Sequence, residues 1–161
     1  MTACAGDRTP EQALRALGLA LPDPPAAVGA YLPWQRLGRI VTTSFQLPWQ
    51  GPALLAPGLV GRDVTIDQAI AAARQCALNG LAQLRQAAGG DLKRVRLVRI
   101  DGHVGCVPEF TDIPRVLDGA SRLVNEVLGE RGRHARTALG HVVMPLGAPV
   151  MLGFLAEVDE P

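Results

Sequence analysis

From Thr137 to Leu155 the chain carries no formal charge so long as His141 is neutral. A run of that length would suit a membrane-crossing helix. Pro145 and Pro149 bracket Leu146, Gly147 and Ala148, and Gly140 and Gly153 sit in the flanks. Proline removes a helical donor and clashes with the preceding turn, so one continuous helix is ruled out. The run is read instead as two buried strands joined by a turn, His134–Met144 and Pro149–Val158. Strands that are apolar at nearly every position are covered on both faces. The chain must therefore build a sheet with helices on one side and further apolar cover on the other.

Two helices supply the first cover. Thr65 and Gln68 have the spacing of a capping box, and Ile66, Ile70, Ala73, Ala77, Leu81, Leu84 and Ala88 follow as one stripe until Gly89 and Gly90. Cys76 borders that stripe as a small core residue. Asp112 is placed to cap the second helix, with Pro114 in its first turn and Ile113, Val116, Leu117, Ala120, Leu123, Val124 and Val127 on its buried face; Gly129 and Gly132 end it. Tyr31–Gln35 and Arg39–Leu47 read as strands around Gly38, Trp49–Gly61 as a loop, and Lys93–Val104 as a third strand. Arg94, Arg96 and Arg99 in that strand are read as edge or solvent-facing residues.

The order strand, strand, helix, strand, helix, strand, strand predicts a two-layer α+β domain over residues 29–161. Two helices cannot cover both faces, so the second face is expected to meet other copies of the chain in a symmetric oligomer. Residues 1–28 read as a peripheral arm. Thr9, Pro10 and Gln12 start a short helix there, and Pro22, Pro24 and Pro25 force extended chain after it.

Composition narrows the function classes. Sixteen basic residues against 15 acidic ones leave a net charge of +1. That gives neither the basic field of a nucleic-acid binder nor a handle for anionic membrane. Cys4, Cys76 and Cys106 are an odd set without CxxC spacing, so a reducing cytoplasm without disulfides is expected. Asp7, Arg8, Glu11 and Arg15 break up the N-terminus before its apolar stretch, unlike a signal peptide.

No phosphate loop, GxSxG or HExxH occurs, and the glycines of AAGGD follow a helix instead of opening one. His103, His134 and His141 are dispersed, so no metal set is expected. His103 and Cys106 are three residues apart on extended chain and point to opposite faces, which excludes a nucleophilic dyad. The one polar concentration is GERGRHARTALG. Arg136 is its innermost guanidinium and must be paired, with the carboxylate either of a protein acid or of a ligand. The sequence leaves both open.

The pattern as a whole resembles the Rid family, also called YjgF or reactive intermediate deaminases and formerly L-PSP endoribonuclease. The resemblance runs from about Val28 to Val158 and rests on VGAY, RIVTTSFQLP, VTIDQAIAAARQCALNGLAQL, FTDIPRVLDGASRLV and HARTALGHVVMPLGAPVML in the family's order. The arm segment LGLALPDPP resembles that of a longer subgroup. The resemblance implies a chorismate-mutase-like fold: a mixed sheet with two long helices on one face, a trimeric barrel core and clefts at the subunit interfaces. It implies hydrolysis of enamines and imines to a 2-keto acid and ammonia, without metal or organic cofactor. Arg136 would clamp the substrate carboxylate, and Tyr31 and Ser44 would line the same cleft.

The chain departs from the family in four places. Phe45 replaces a glycine, Met151 and Gly153 replace acids, and Pro108 replaces a polar residue. The cleft is expected to be more apolar and more crowded than usual, without carboxylate help at Met151. The leading expectation is an imine hydrolase of altered scope. The alternative is a diverged relative that binds a carboxylated small molecule, for another reaction or without turnover. The ribonuclease label fits the net charge of +1 poorly.

Overall fold

The computed structural model describes residues 8–160; Cys4 and Asp7 lie outside them. The elements are α1 (Pro10–Ala16), β1 (Trp34–Leu37), β2 (Ile40–Thr43), β3 (Trp49–Gln50), β4 (Ala53–Leu54), α2 (Ile66–Ala87), β5 (Val95–Gly105), α3 (Ile113–Leu128), β6 (Ala135–His141) and β7 (Val150–Val158). Five strands form a mixed sheet in the order β1-β2-β7-β5-β6, in which only β5 and β6 run parallel. Helices α2 and α3 lie side by side on one face, giving the two-layer α+β architecture.

Local chemistry explains most boundaries. Thr65 Oγ1 accepts from the Gln68 amide and Gln68 Oε1 from the Thr65 amide, at 3.2 and 2.9 Å. Thr9 and Gln12 make the same reciprocal box on α1. Asp112 does not cap α3. Its backbone sits at φ −82°, ψ 35° and not in the extended conformation a capping residue needs, and its carboxylate reaches Arg115 at 3.6 Å. The first strand begins at Trp34, later than Tyr31, and the second ends at Thr43. The expected loop after Pro48 contains the small β3–β4 hairpin.

Strand β5 is central, not an edge, and it contains a bulge. Leu97 pairs with Ala156 and Arg99 with Leu155, which leaves Val98 as an extra residue. The bulge lets Val95 and Leu97 share the helix-side face with Ile100 and Val104 although their spacing is out of phase; Val98 and Arg99 are both exposed. Strand β7 is buried on its helix side, while Met151, Leu155 and Glu157 on the other face are half-buried. Edge strand β6 is mostly open in the single chain. The arm is docked, not loose. Pro10, Ala13 and Leu14 are buried, Leu19 and Leu21 pack on the core, and Gln83 donates to the Pro25 carbonyl at 2.7 Å.

Candidate active site

Arg136 stands on β6 directly beside Ile100 of β5, so it faces the helix layer. Its side chain is 21% exposed. Nη1 donates to Asp118 Oδ1 at 2.9 Å and to Ser121 Oγ at 3.1 Å, and Nη2 donates to the Pro114 carbonyl at 3.3 Å. All three acceptors come from residues 114–121 of α3. The protein acid that the sequence left open is therefore Asp118. A guanidinium has five N–H groups. Its Nε–H and remaining Nη2–H have no acceptor among the described residues.

His134 extends this network. Its Nδ1 lies 2.6 Å from the Gly132 carbonyl, which can only accept, so Nδ1 carries the proton. Nε2 then accepts from Ser121 at 3.0 Å, and the Ser121 oxygen accepts from Arg136. Burial pushes the His134 pKa below 6.5; the Gly132 carbonyl opposes that and the Arg136 charge adds to it. The unfolded chain thus takes up this proton more readily than the folded one, and stability is lost as pH falls below the ordinary imidazole value of about 6.5. Melting temperatures between pH 7.5 and pH 5 are expected to fall, with a smaller slope in His134→Gln. An equal slope in that variant would count against the assignment.

Tyr31, Ser44 and Phe45 come together elsewhere. With Pro33, Gln46 and Trp49 they line a shallow cleft of about 20 Å³ at the β2 side of the sheet. Ser44 Oγ donates to the Leu32 carbonyl at 2.7 Å, and the Tyr31 hydroxyl accepts a long bond from the Val28 amide. Met151 is half-buried on β7 opposite His103, on the sheet face away from the helices. Pro108 is exposed in the loop after β5 and does not line this cleft. Within one chain, Arg136 is on the edge strand furthest from the β2 side where this cleft lies.

The structure also assembles a pair that sequence spacing did not show. His103 Nδ1 lies 2.6 Å from His141 Nε2 across the parallel β5–β6 pair, and the Phe45 ring meets His103 edge-on at 4.9 Å. Only the strand register brings the two histidines together. No three His, Cys, Asp or Glu side chains converge as a metal-binding group among the described residues. A larger groove, about 970 Å³, lies between α1 and the end of α3. Its Arg131 is already held by Asp159 and the Val95 carbonyl.

No helix among the described residues is long and apolar enough to cross a membrane. Among known proteins, TCP17 of Trypanosoma cruzi is 39% identical over 148 residues, covering 91% of this chain and 92% of that protein. The crystal structure of Atu1372 from Agrobacterium tumefaciens, described as of unknown function, superposes with a TM-score of 0.88 at 40% identity over 94% of each chain. A crystal structure of a "putative endoribonuclease" from Shewanella oneidensis gives a TM-score of 0.90 at 39% identity over 94% of this chain and all (100%) of that one. The family model described as "YjgF/chorismate mutase-like, putative endoribonuclease" matches residues 11–158. With the mixed sheet, its two covering helices and this match in view, the chain belongs to the YjgF/chorismate mutase-like family.

Proposed function

We propose that the protein hydrolyses imines or enamines of small carboxylic acids, releasing a 2-keto acid and ammonia. One observation carries this reading. Arg136 is anchored from behind by α3 yet keeps Nε–H and one Nη2–H without a protein acceptor. Those two donors form the edge that holds a carboxylate through two parallel bonds. Holding the carboxylate fixes the C=N carbon for attack by water, and no metal or organic cofactor is needed for that chemistry.

The cleft of Tyr31, Ser44 and Phe45 joins Arg136 only if a second copy of the chain supplies one of the two parts. A homotrimer with sites at its subunit interfaces meets that need. Ile40, Val98 and Leu139 leave apolar surface for such contacts, at 45%, 42% and 47% exposure. The reading places the protein in the cytoplasm, without nucleic-acid or membrane partners; the near-neutral charge supports the former.

The experiment generates imines in situ with an amino acid oxidase, over a panel of small and aromatic amino acids, and follows ammonia. Acceleration by the protein is expected. No acceleration with any substrate overturns the reading. A second reading, a ligand-binding relative without turnover, is favoured by Phe45 and Met151, which crowd the cleft and remove a proton acceptor. It predicts saturable binding of a small carboxylate that is lost in Arg136→Ala, with no ammonia released.

A further inference from the structure

We propose that His103 and His141 form a proton-transfer dyad in which His103 Nε2 is the general base that activates water; this rests on the imine-hydrolase reading above. The rings are not stacked face to face. Their planes differ by 28°, and the centroids are 4.8 Å apart while the facing nitrogens are 2.6 Å apart. The centroid separation exceeds the nitrogen separation by about two ring radii, so the rings lie end to end in nearly one plane. That is the geometry of an N–H···N hydrogen bond, with one proton between His103 Nδ1 and His141 Nε2. When the bridging proton sits on His103 Nδ1, the lone pair of His103 Nε2 is free. Neither outer nitrogen has a partner among the described residues.

Phe45 joins the pair to the cleft. Phe45 lines the cleft and contacts His103 at 84° to its plane. It reaches across the sheet because Gly153 has no Cβ; one placed there would stand 3.0 Å from the Phe45 ring. The two departures at positions 45 and 153 are thus a single fitted pair. Met151 lies opposite His103 on β7, and its thioether takes no proton. The nearest acid on this face is Asp101, which is already engaged by Arg99 at 3.0 Å and Thr137 at 2.8 Å. From β7 the residues on this face are Met151, Gly153, Leu155 and Glu157, and from β6 Thr137 and Leu139; Glu157, three pleats beyond Met151, is held by Arg39 at 3.0 Å, so each acid on this face already has a cationic partner. Burial, then the neighbouring His141, lowers the His103 pKa below 6.5 against the pull of Asp101, which keeps the free base available at neutral pH.

The step balances without a further reagent. Water oxygen bonds to the iminium carbon, the C=N π pair goes to nitrogen, and a water proton goes to His103 Nε2. The same proton then returns to the amine nitrogen of the carbinolamine. The C–N bond then breaks with its electron pair on nitrogen, so ammonia leaves; the hydroxyl oxygen closes to C=O and passes its proton to His103 Nε2, which hands it to the ammonia to give ammonium. His141 is a positioning residue that fixes the His103 tautomer.

The test measures kcat/KM against pH, with oxidase in excess, for the full-length protein, His103→Gln and His141→Gln, and follows the imidazole resonances by NMR. The unsubstituted protein should gain activity with rising pH, with an inflection below the ordinary imidazole pKa. His103→Gln should lose about 10²-fold or more and the inflection with it. His141→Gln should lose less, and the His103 resonance should titrate at higher pH, a shift that can be read without any turnover. An unchanged rate and profile in His103→Gln, together with an inactive Arg136→Ala, overturns the dyad and leaves the imine reading standing. An unmoved His103 titration in His141→Gln also overturns it. A full-length protein inactive on every substrate overturns both.

Discussion

Arg136→Ala lowers kcat/KM for imine hydrolysis by about 10²–10³-fold while the protein stays folded, because charge-assisted bonds of about 1.5–3 kcal/mol each are lost together with substrate orientation. The fold survives because the pair it removes is weak. Asp118 is 43% exposed and Arg136 21%, so water screens the ion pair and its removal costs no more than about 1 kcal/mol. Arg136→Lys keeps the charge but loses the fork, and falls between the two. Asp118→Asn keeps Nη1 hydrogen-bonded and should cost only a few-fold. Steady-state rates with one good substrate and a melting curve for each variant check this. An Arg136→Ala protein of normal stability and normal rate would remove the guanidinium from the site.

Gly80→Ala is the largest expected effect on stability. In the middle of a 22-residue helix, alanine is favoured over glycine by about 1 kcal/mol on propensity alone. Packing reverses the sign. A Cβ on Gly80 would stand 2.1 Å from Phe154 Cε2, and Phe154 is 2% exposed on a central strand. The ring is buried in the core between helix and sheet and cannot swing away without displacing packed neighbours. Overpacking of this kind should cost about 3 kcal/mol, a fall in melting temperature of about 6–12 °C. Phe154→Leu added to Gly80→Ala should recover part of it, since the smaller side chain vacates that space. A melting temperature equal to or above that of the unsubstituted protein would show that the α2–β7 contact is looser than described.

The contacts that the sequence does not reveal share a property. Arg136 was legible because a guanidinium between a helix end and an apolar strand has to be paired. Its partner was not, because Asp118 comes eighteen residues earlier on another element, and nothing in either segment records the angle at which α3 crosses β6. His103 and His141 looked dispersed because they are 38 residues apart, and only the parallel register of β5 with β6 sets them on one face. Phe45 and Gly153 looked like two separate losses and are one packing arrangement.

What the chain determines by itself is what depends on near neighbours. The period of apolar residues sets α2, α3 and β7, the Thr–Gln boxes start two helices, and Pro145 with Pro149 forbid a span where charge is absent. These follow from backbone sterics and hydrogen bonds within a few residues. Only the tertiary structure decided the Val98 bulge, the docking of the arm through Gln83, the Asp118–Arg136 pair and the two joined imidazoles. Each of these depends on strand register and helix crossing. Those are set by how distant apolar surfaces fit together, a quantity spread over the whole core and written in no single segment.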